Sequence, residues 1–96
     1  MATSIAHVKT AQGKRYLFKL CKHWSHKFEV VSTETHAEIP FDAQARAVFD
    51  ADDEGLVLQA IHEDVERLEW LQGVIATHLQ RFALDEPLEI NWVRQD

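Results

Sequence analysis

The sequence predicts an α+β domain, a two-layer sandwich in which two helices lie on one face of a mostly antiparallel sheet, in the order β-α-β-β-β-β-α-β. Three observations carry that prediction. Residues 10–27 and 64–83 repeat apolar residues at helical spacing, whereas residues 28–62 between them change to a period of two. The connections in that middle stretch are short, as an antiparallel meander requires. Each helix is apolar on one side only, so both fit on one sheet face and leave the other to solvent or a partner. Ninety-six residues supply one core, so residues 1–96 are read as a single domain.

Residues 4–9 alternate weakly and read as a first strand, with Ile5, Ala6 and Val8 leaving its inward face open. Thr10 is the expected N-cap of the first helix. At about 100° per residue, Leu17, Leu20, Cys21, Trp24 and Phe28 fall on one side, and Arg15, Lys19, Lys22 and His26 fall opposite. Tyr16, His23 and Lys27 flank the apolar side. Residues 28–35, FEVVSTET, are rich in β-branched residues and read as a strand. In residues 36–42, Ala37, Ile39 and Phe41 alternate with polar neighbours, and Pro40 requires an edge or an outward-facing position.

Residues 45–52 alternate again, through Ala45, Ala47, Phe49 and Ala51. Asp52-Asp53-Glu54-Gly55 reads as a hairpin turn, with glycine in a place that tolerates positive φ. Residues 56–62 form the next strand. Asp64 then caps a helix to about Ala83, with Leu68, Leu71, Ile75, Leu79 and Phe82 as its core stripe. Pro87 precedes a last strand, residues 88–93, in which Leu88, Ile90 and Trp92 share a face.

Net charge is −6, unevenly spread. Residues 1–27 hold six of the ten Lys and Arg and no acid; residues 28–96 hold four against sixteen acids. The acidic bulk argues against nucleic-acid binding. The basic first helix invites an acidic partner, against the plainer reading of a solvated face. No apolar run reaches the roughly 20 residues of a membrane span. With no secretory leader pattern and a lone Cys21, a cytoplasmic location is expected.

Cys21-x-His23-x-x-His26 brings three metal-ligand types into six residues. On a helix Cys21 and His23 point to nearly opposite sides, so the three cannot converge on an ion at about 2.0–2.3 Å. His23 and His26 remain a possible metal pair if His78 joins them from the second helix; His7, His36 and His62 are harder to place. Surface and packing histidines are the preferred reading, so no metal and no cofactor, iron or zinc, is assigned. Cys21 reads as a small core residue. With three serines, no G-x-S-x-G and no phosphate-cradling loop, no enzyme activity is expected. The acidic run from Asp50 to Glu54 reads as a solvated turn. Trp70 and Val74, away from the second helix's core stripe, are candidate interface residues for a homodimer or another partner.

The runs LCKHWSHKF at residues 20–28 and HLQRFALDEPLEINW at residues 78–92 resemble a family of small bacterial domains of unknown function. Its pattern is a Leu-Cys-Lys-His-aromatic-x-His-Lys run, then a His-Leu-x-Arg-Phe run and a late Trp. Leu20, Cys21, Lys22, His23, His26 and Lys27 match the first run, and His78, Leu79, Arg81, Phe82 and Trp92 match the rest. Trp24 stands where that family more often has Phe. Members occur alone or appended to siderophore-interacting proteins, which are flavin-dependent ferric-siderophore reductases, so the resemblance implies an association with iron handling. The chain carries no flavin signature of those reductases, so reduction by this domain alone is not expected.

The resemblance singles out His23, His26, Lys27, His78 and Arg81 as polar members of the two runs. Together near one end of the helix pair, they would suit a carboxylate or a catecholate–iron complex. The leading expectation is a non-enzymatic binding domain using Arg15, Lys19, Lys22 and those five residues toward an acidic protein. A small anionic ligand or metal tied to iron handling is the second, and plain homodimerisation the third.

Overall fold

Period-two alternation places small and large apolar side chains on one face of the sheet and two amphipathic helices cover them. The computed structural model describes residues 1–95. Its elements are β1 (Ala2–Lys9), α1 (Gly13–Trp24), β2 (Val31–Ser32), β3 (His36–Pro40), β4 (Ala45–Ala51), β5 (Gly55–His62), α2 (Val65–Phe82) and β6 (Val93–Arg94). All pairings are antiparallel, in the spatial order β2-β3-β4-β5-β1-β6. The predicted α+β order is therefore the observed one. The strand order was left open by the sequence, and it makes β1 the partner of β5 along their full lengths.

The register settles the inward face of β1: Ala2, Ser4, Ala6 and Val8 are buried, and Ile5 belongs to the other side. Inward residues of the neighbouring strands, among them Ala37, Ile39, Ala47, Phe49, Leu56 and Leu58, meet Leu17, Leu20 and Trp24 of α1 and Leu68, Leu71, Ile75 and Leu79 of α2. Trp24 anchors this layer. Its ring packs edge-on to Phe41 at 5.2 Å and stacks over Phe49 at 6.1 Å, while Phe28 meets Phe41 at 5.0 Å. Such aromatic contacts add about 0.5–1.5 kcal/mol beyond the area they bury. The opposite face carries one row across all six strands, Val31, Glu38, Val48, Gln59, Ile5 and Val93.

Several predicted boundaries are corrected. Thr10 is not the N-cap of α1; Gln12 occupies that position and makes no side-chain cap bond. The Thr10 hydroxyl instead accepts from the Gln12 amide at 3.1 Å and donates to Glu86 Oε1 at 2.8 Å. The helix ends at Trp24, and residues 25–28 leave it through a turn in which the Lys27 and Phe28 amides donate to the Trp24 carbonyl. The strand expected at residues 28–35 contracts to Val31–Ser32, because the Thr33 side chain binds the backbone of Thr35 and His36 and turns the chain. Pro40 lies beyond the short β2 pairing, where no neighbour needs its missing N–H.

The last strand is corrected too. Only Val93–Arg94 pairs, with Ser4 and Ile5. Gln80 accounts for the difference. Its side-chain amide donates to the Ala83 and Glu86 carbonyls and accepts from the Leu88 amide, so the chain folds back over α2. Leu88, Ile90 and Trp92 then pack on the core without joining the sheet.

Gly55 is needed for a different reason from the one its sequence context suggests. No glycine has a positive φ among the described residues. A Cβ on Gly55 would lie 2.1 Å from the Val8 carbonyl oxygen, and one on Gly13 would lie 2.6 Å from the Gly55 carbonyl oxygen. Gly13 thus lets the start of α1 settle against the β4–β5 turn, and Gly55 lets the start of β5 lie close against β1. Asp52 holds that turn by accepting from the Glu54 and Gly55 amides.

Candidate functional site

The eight polar residues singled out by the sequence separate into two surfaces. The first is the outward stripe of α1. Arg15 and Lys22 are exposed on it, with Lys19 half-buried at its margin. Phe18 sits between Arg15 and Lys22, three residues after one and four before the other, and is 67% exposed. Side chains at those spacings are neighbours on a helix. Phe18 also lines a groove of about 480 Å³ with Lys14, Arg15, Cys21, Ser32, Thr33 and Glu34. Sequence reading by charge alone passed over Phe18, although its offset from the Leu17–Trp24 stripe was the available signal. Among the described residues, Lys14 is the one α1 cation within 4 Å of a carboxylate, Asp53 at 3.5 Å.

The second surface lies where the end of α1 meets α2. The His23 and His78 rings are 5.1 Å apart, His23 is 6.0 Å from the Phe82 ring, and His78 is 5.1 Å from the Trp24 ring. His78 Nδ1 lies 2.7 Å from the Val74 carbonyl oxygen, which only accepts, so Nδ1 carries a proton and donates it there. Although His23 is exposed, partial desolvation holds its pKa below the ordinary value of 6.5, and the charges of His78, His26, Lys27 and Arg81 add to that in turn. Of the five, the His23 and His78 rings meet, with Lys27 four residues after His23 and Arg81 three residues after His78. His26 lies in the turn after α1, not on the helical face on which its spacing put it.

The remaining candidates fall elsewhere. His36 lies on the open sheet face, with Nδ1 2.6 Å from Asp50 Oδ1 and Nε2 3.2 Å from Glu38 Oε2. Two carboxylates, one at each ring nitrogen, favour the imidazolium; the bonds to Asp50 and then Glu38 raise its pKa above 6.5. Asp50 is therefore a strand residue in an ion pair, not part of the solvated turn. His62 is buried, and its Nδ1 accepts from the Asp64 amide at 2.8 Å. Among the described residues, no three His, Cys, Asp or Glu side chains form a group able to hold a metal.

Cys21 is buried in the core, and that burial pushes its thiol pKa up, away from the reactive thiolate. Trp70 is 54% exposed under the Arg67 guanidinium, 5.3 Å from the ring centroid. Val74 is corrected: it packs partly buried against the core, so it does not extend an exposed patch around Trp70. Among the described residues, no helix is long and apolar enough to cross a membrane.

Comparison with known proteins agrees with this fold. The NMR structure of PA4090 from Pseudomonas aeruginosa superposes with a TM-score of 0.82 at 39% sequence identity, over 97% of this chain and 96% of that one. No curated protein matches the chain. Residues 5–93 match the family described as "Uncharacterized protein conserved in bacteria (DUF2218)", and the chain belongs to that family.

Proposed function

We propose that this domain is a non-enzymatic binding module that docks an acidic protein surface through the outward stripe of α1. The observation supporting this reading is the exposed Phe18 between Arg15 and Lys22, two cations that have no carboxylate within 4 Å among the described residues. An aromatic ring with a cationic rim is the arrangement that concentrates binding energy, since buried aromatic and Arg contacts dominate interfaces. The cations steer an acidic partner and set the salt dependence, while the ring sets the residence time. The setting proposed is the cytoplasm.

The iron-handling association implied by the family resemblance names the first partner to try. A siderophore-interacting reductase with an acidic patch would be joined to this domain either in one chain or by docking. The general test starts from peptides displayed on phage and selected against the immobilised domain. Acidic residues around a single apolar side chain should dominate the selected set. The best peptide should bind at least about tenfold more weakly to Phe18→Ser, the loss expected when a hot-spot contact of about 1.4 kcal/mol is removed. Its affinity for the wild-type domain should also fall with added salt. A selected set without acidic residues, or equal binding to Phe18→Ser, would refute the reading.

A further inference from the structure

We propose that His23, His78, Lys27 and Arg81 form a binding site for a multiply charged oxyanion of the phosphate type, free or as a phosphomonoester. The site uses different side chains from the Phe18 stripe and stands if that docking reading fails.

The argument begins with what balances charge elsewhere in the molecule. His36 has carboxylates at both ring nitrogens, Arg46 reaches Glu38 at 4.0 Å, and Lys14 reaches Asp53. At the α1–α2 meeting point the His23 and His78 rings are 5.1 Å apart, Lys27 follows His23 by four residues and Arg81 follows His78 by three, and none of these groups, nor His26, has a carboxylate within 4 Å among the described residues. The helix ends account for part of this. Lys22 and His23 occupy the last turn of α1 and Arg81 the last turn of α2, where the helix dipole favours cations.

The dipoles do not explain why two chain segments should bring their cations to one place. Nor do they cancel the repulsion: the neighbouring charges still lower the proton affinity of His23. An anion bound here would offset that repulsion.

The donor set narrows the ligand. Arg81 offers a planar fork that matches phosphate oxygens, and Lys27 adds a mobile ammonium. His78 is oriented by its bond to the Val74 carbonyl, which leaves Nε2 as the ring nitrogen not engaged there. Arg81, Lys27 and His26 are exposed, so an ion can arrive from solvent without any opening motion. Donors from separate side chains suit a tetrahedral, multiply charged acceptor better than a single carboxylate.

The test follows the histidine ring signals by NMR during titration with inorganic phosphate at pH 7 and fixed ionic strength, with sodium chloride as the matched control. The His23 and His78 signals should move saturably with phosphate and stay in place with chloride. Lys27→Gln/Arg81→Gln, which changes only exposed side chains and whose fold is checked by its amide spectrum, should bind phosphate at least tenfold more weakly. Arg15→Gln/Lys22→Gln should bind it as the wild type does. O-phosphoserine binding more tightly than phosphate assigns the site to monoesters, and equal binding assigns it to the free ion. Signals that follow ionic strength alone, or a Lys27→Gln/Arg81→Gln variant that binds as well as wild type, would overturn the proposal.

Discussion

Replacing Glu86 should disconnect the C-terminal segment from the start of α1. A single carboxylate oxygen of Glu86 accepts from the Tyr16 hydroxyl at 2.7 Å and the Thr10 hydroxyl at 2.8 Å. Both donors are buried, at 6% and 4% exposure, so neither can turn to water when the acceptor is lost. Hydrogen bonds to a charged group contribute about 1.5–3 kcal/mol each. Glu86 itself is half-buried, which places these two toward the lower end. Glu86→Ala should therefore cost on the order of 2–4 kcal/mol, a fall in Tm of roughly 10–20 °C for a domain of this size.

The chain has one tyrosine, so its ionisation can be read directly by ultraviolet absorbance. Burial first, and then the bond to Glu86 and its charge, hold Tyr16 above its ordinary pKa of 10.0. The unfolded chain releases that proton sooner than the folded one. Stability linked to Tyr16 is thus fully present below pH 10 and is lost as pH rises through the folded value. Glu86→Gln should lower the pKa of the phenol while leaving it above 10.0, because burial is the larger cause. An unchanged Tm in Glu86→Ala together with an unchanged tyrosine titration in Glu86→Gln would refute this account of how the tail is held.

Two further predictions concern the sheet. Gly55→Ala should destabilise the domain by about 1–3 kcal/mol or more in urea unfolding, because the new Cβ meets the Val8 carbonyl and not a side chain that can move; an unaltered midpoint would count against the close approach. The His36 network should stabilise the fold by no more than about 1 kcal/mol, as expected for half-exposed ion pairs. Because the folded pKa of His36 is raised, that contribution is complete below about pH 6.5 and fades as pH rises through the folded value. Comparing urea midpoints of wild type and His36→Gln at pH 5.5 and 8.5 should show a difference at the lower pH that shrinks at the higher.

Periodicity carried the fold because each element buries one clear stripe. The Leu17–Trp24 and Leu68–Leu79 stripes are the buried faces of α1 and α2. What sequence reading missed were contacts between segments far apart in the chain. Gln80 diverts residues 84–92 from the sheet through side-chain bonds that no local pattern announces. Glycine spacing suggested a turn conformation at Gly55, whereas the need there is room for β1. At the site, the meeting of His23 and His78 followed from two amphipathic helices sharing a sheet face. Phe18 was legible only through its offset from the Leu17–Trp24 stripe, a signal that charge patterning does not carry, and its 67% exposure bears that offset out.

The most direct test of the docking claim is to map amide and methyl chemical shifts of the isotopically labelled domain during titration with a selected acidic peptide. The account predicts shifts that centre on Arg15, Phe18 and Lys22 and extend into the groove beside Thr33 and Glu34. Shifts confined to Trp70, or to the open sheet face around Val48 and Ile5, would contradict it.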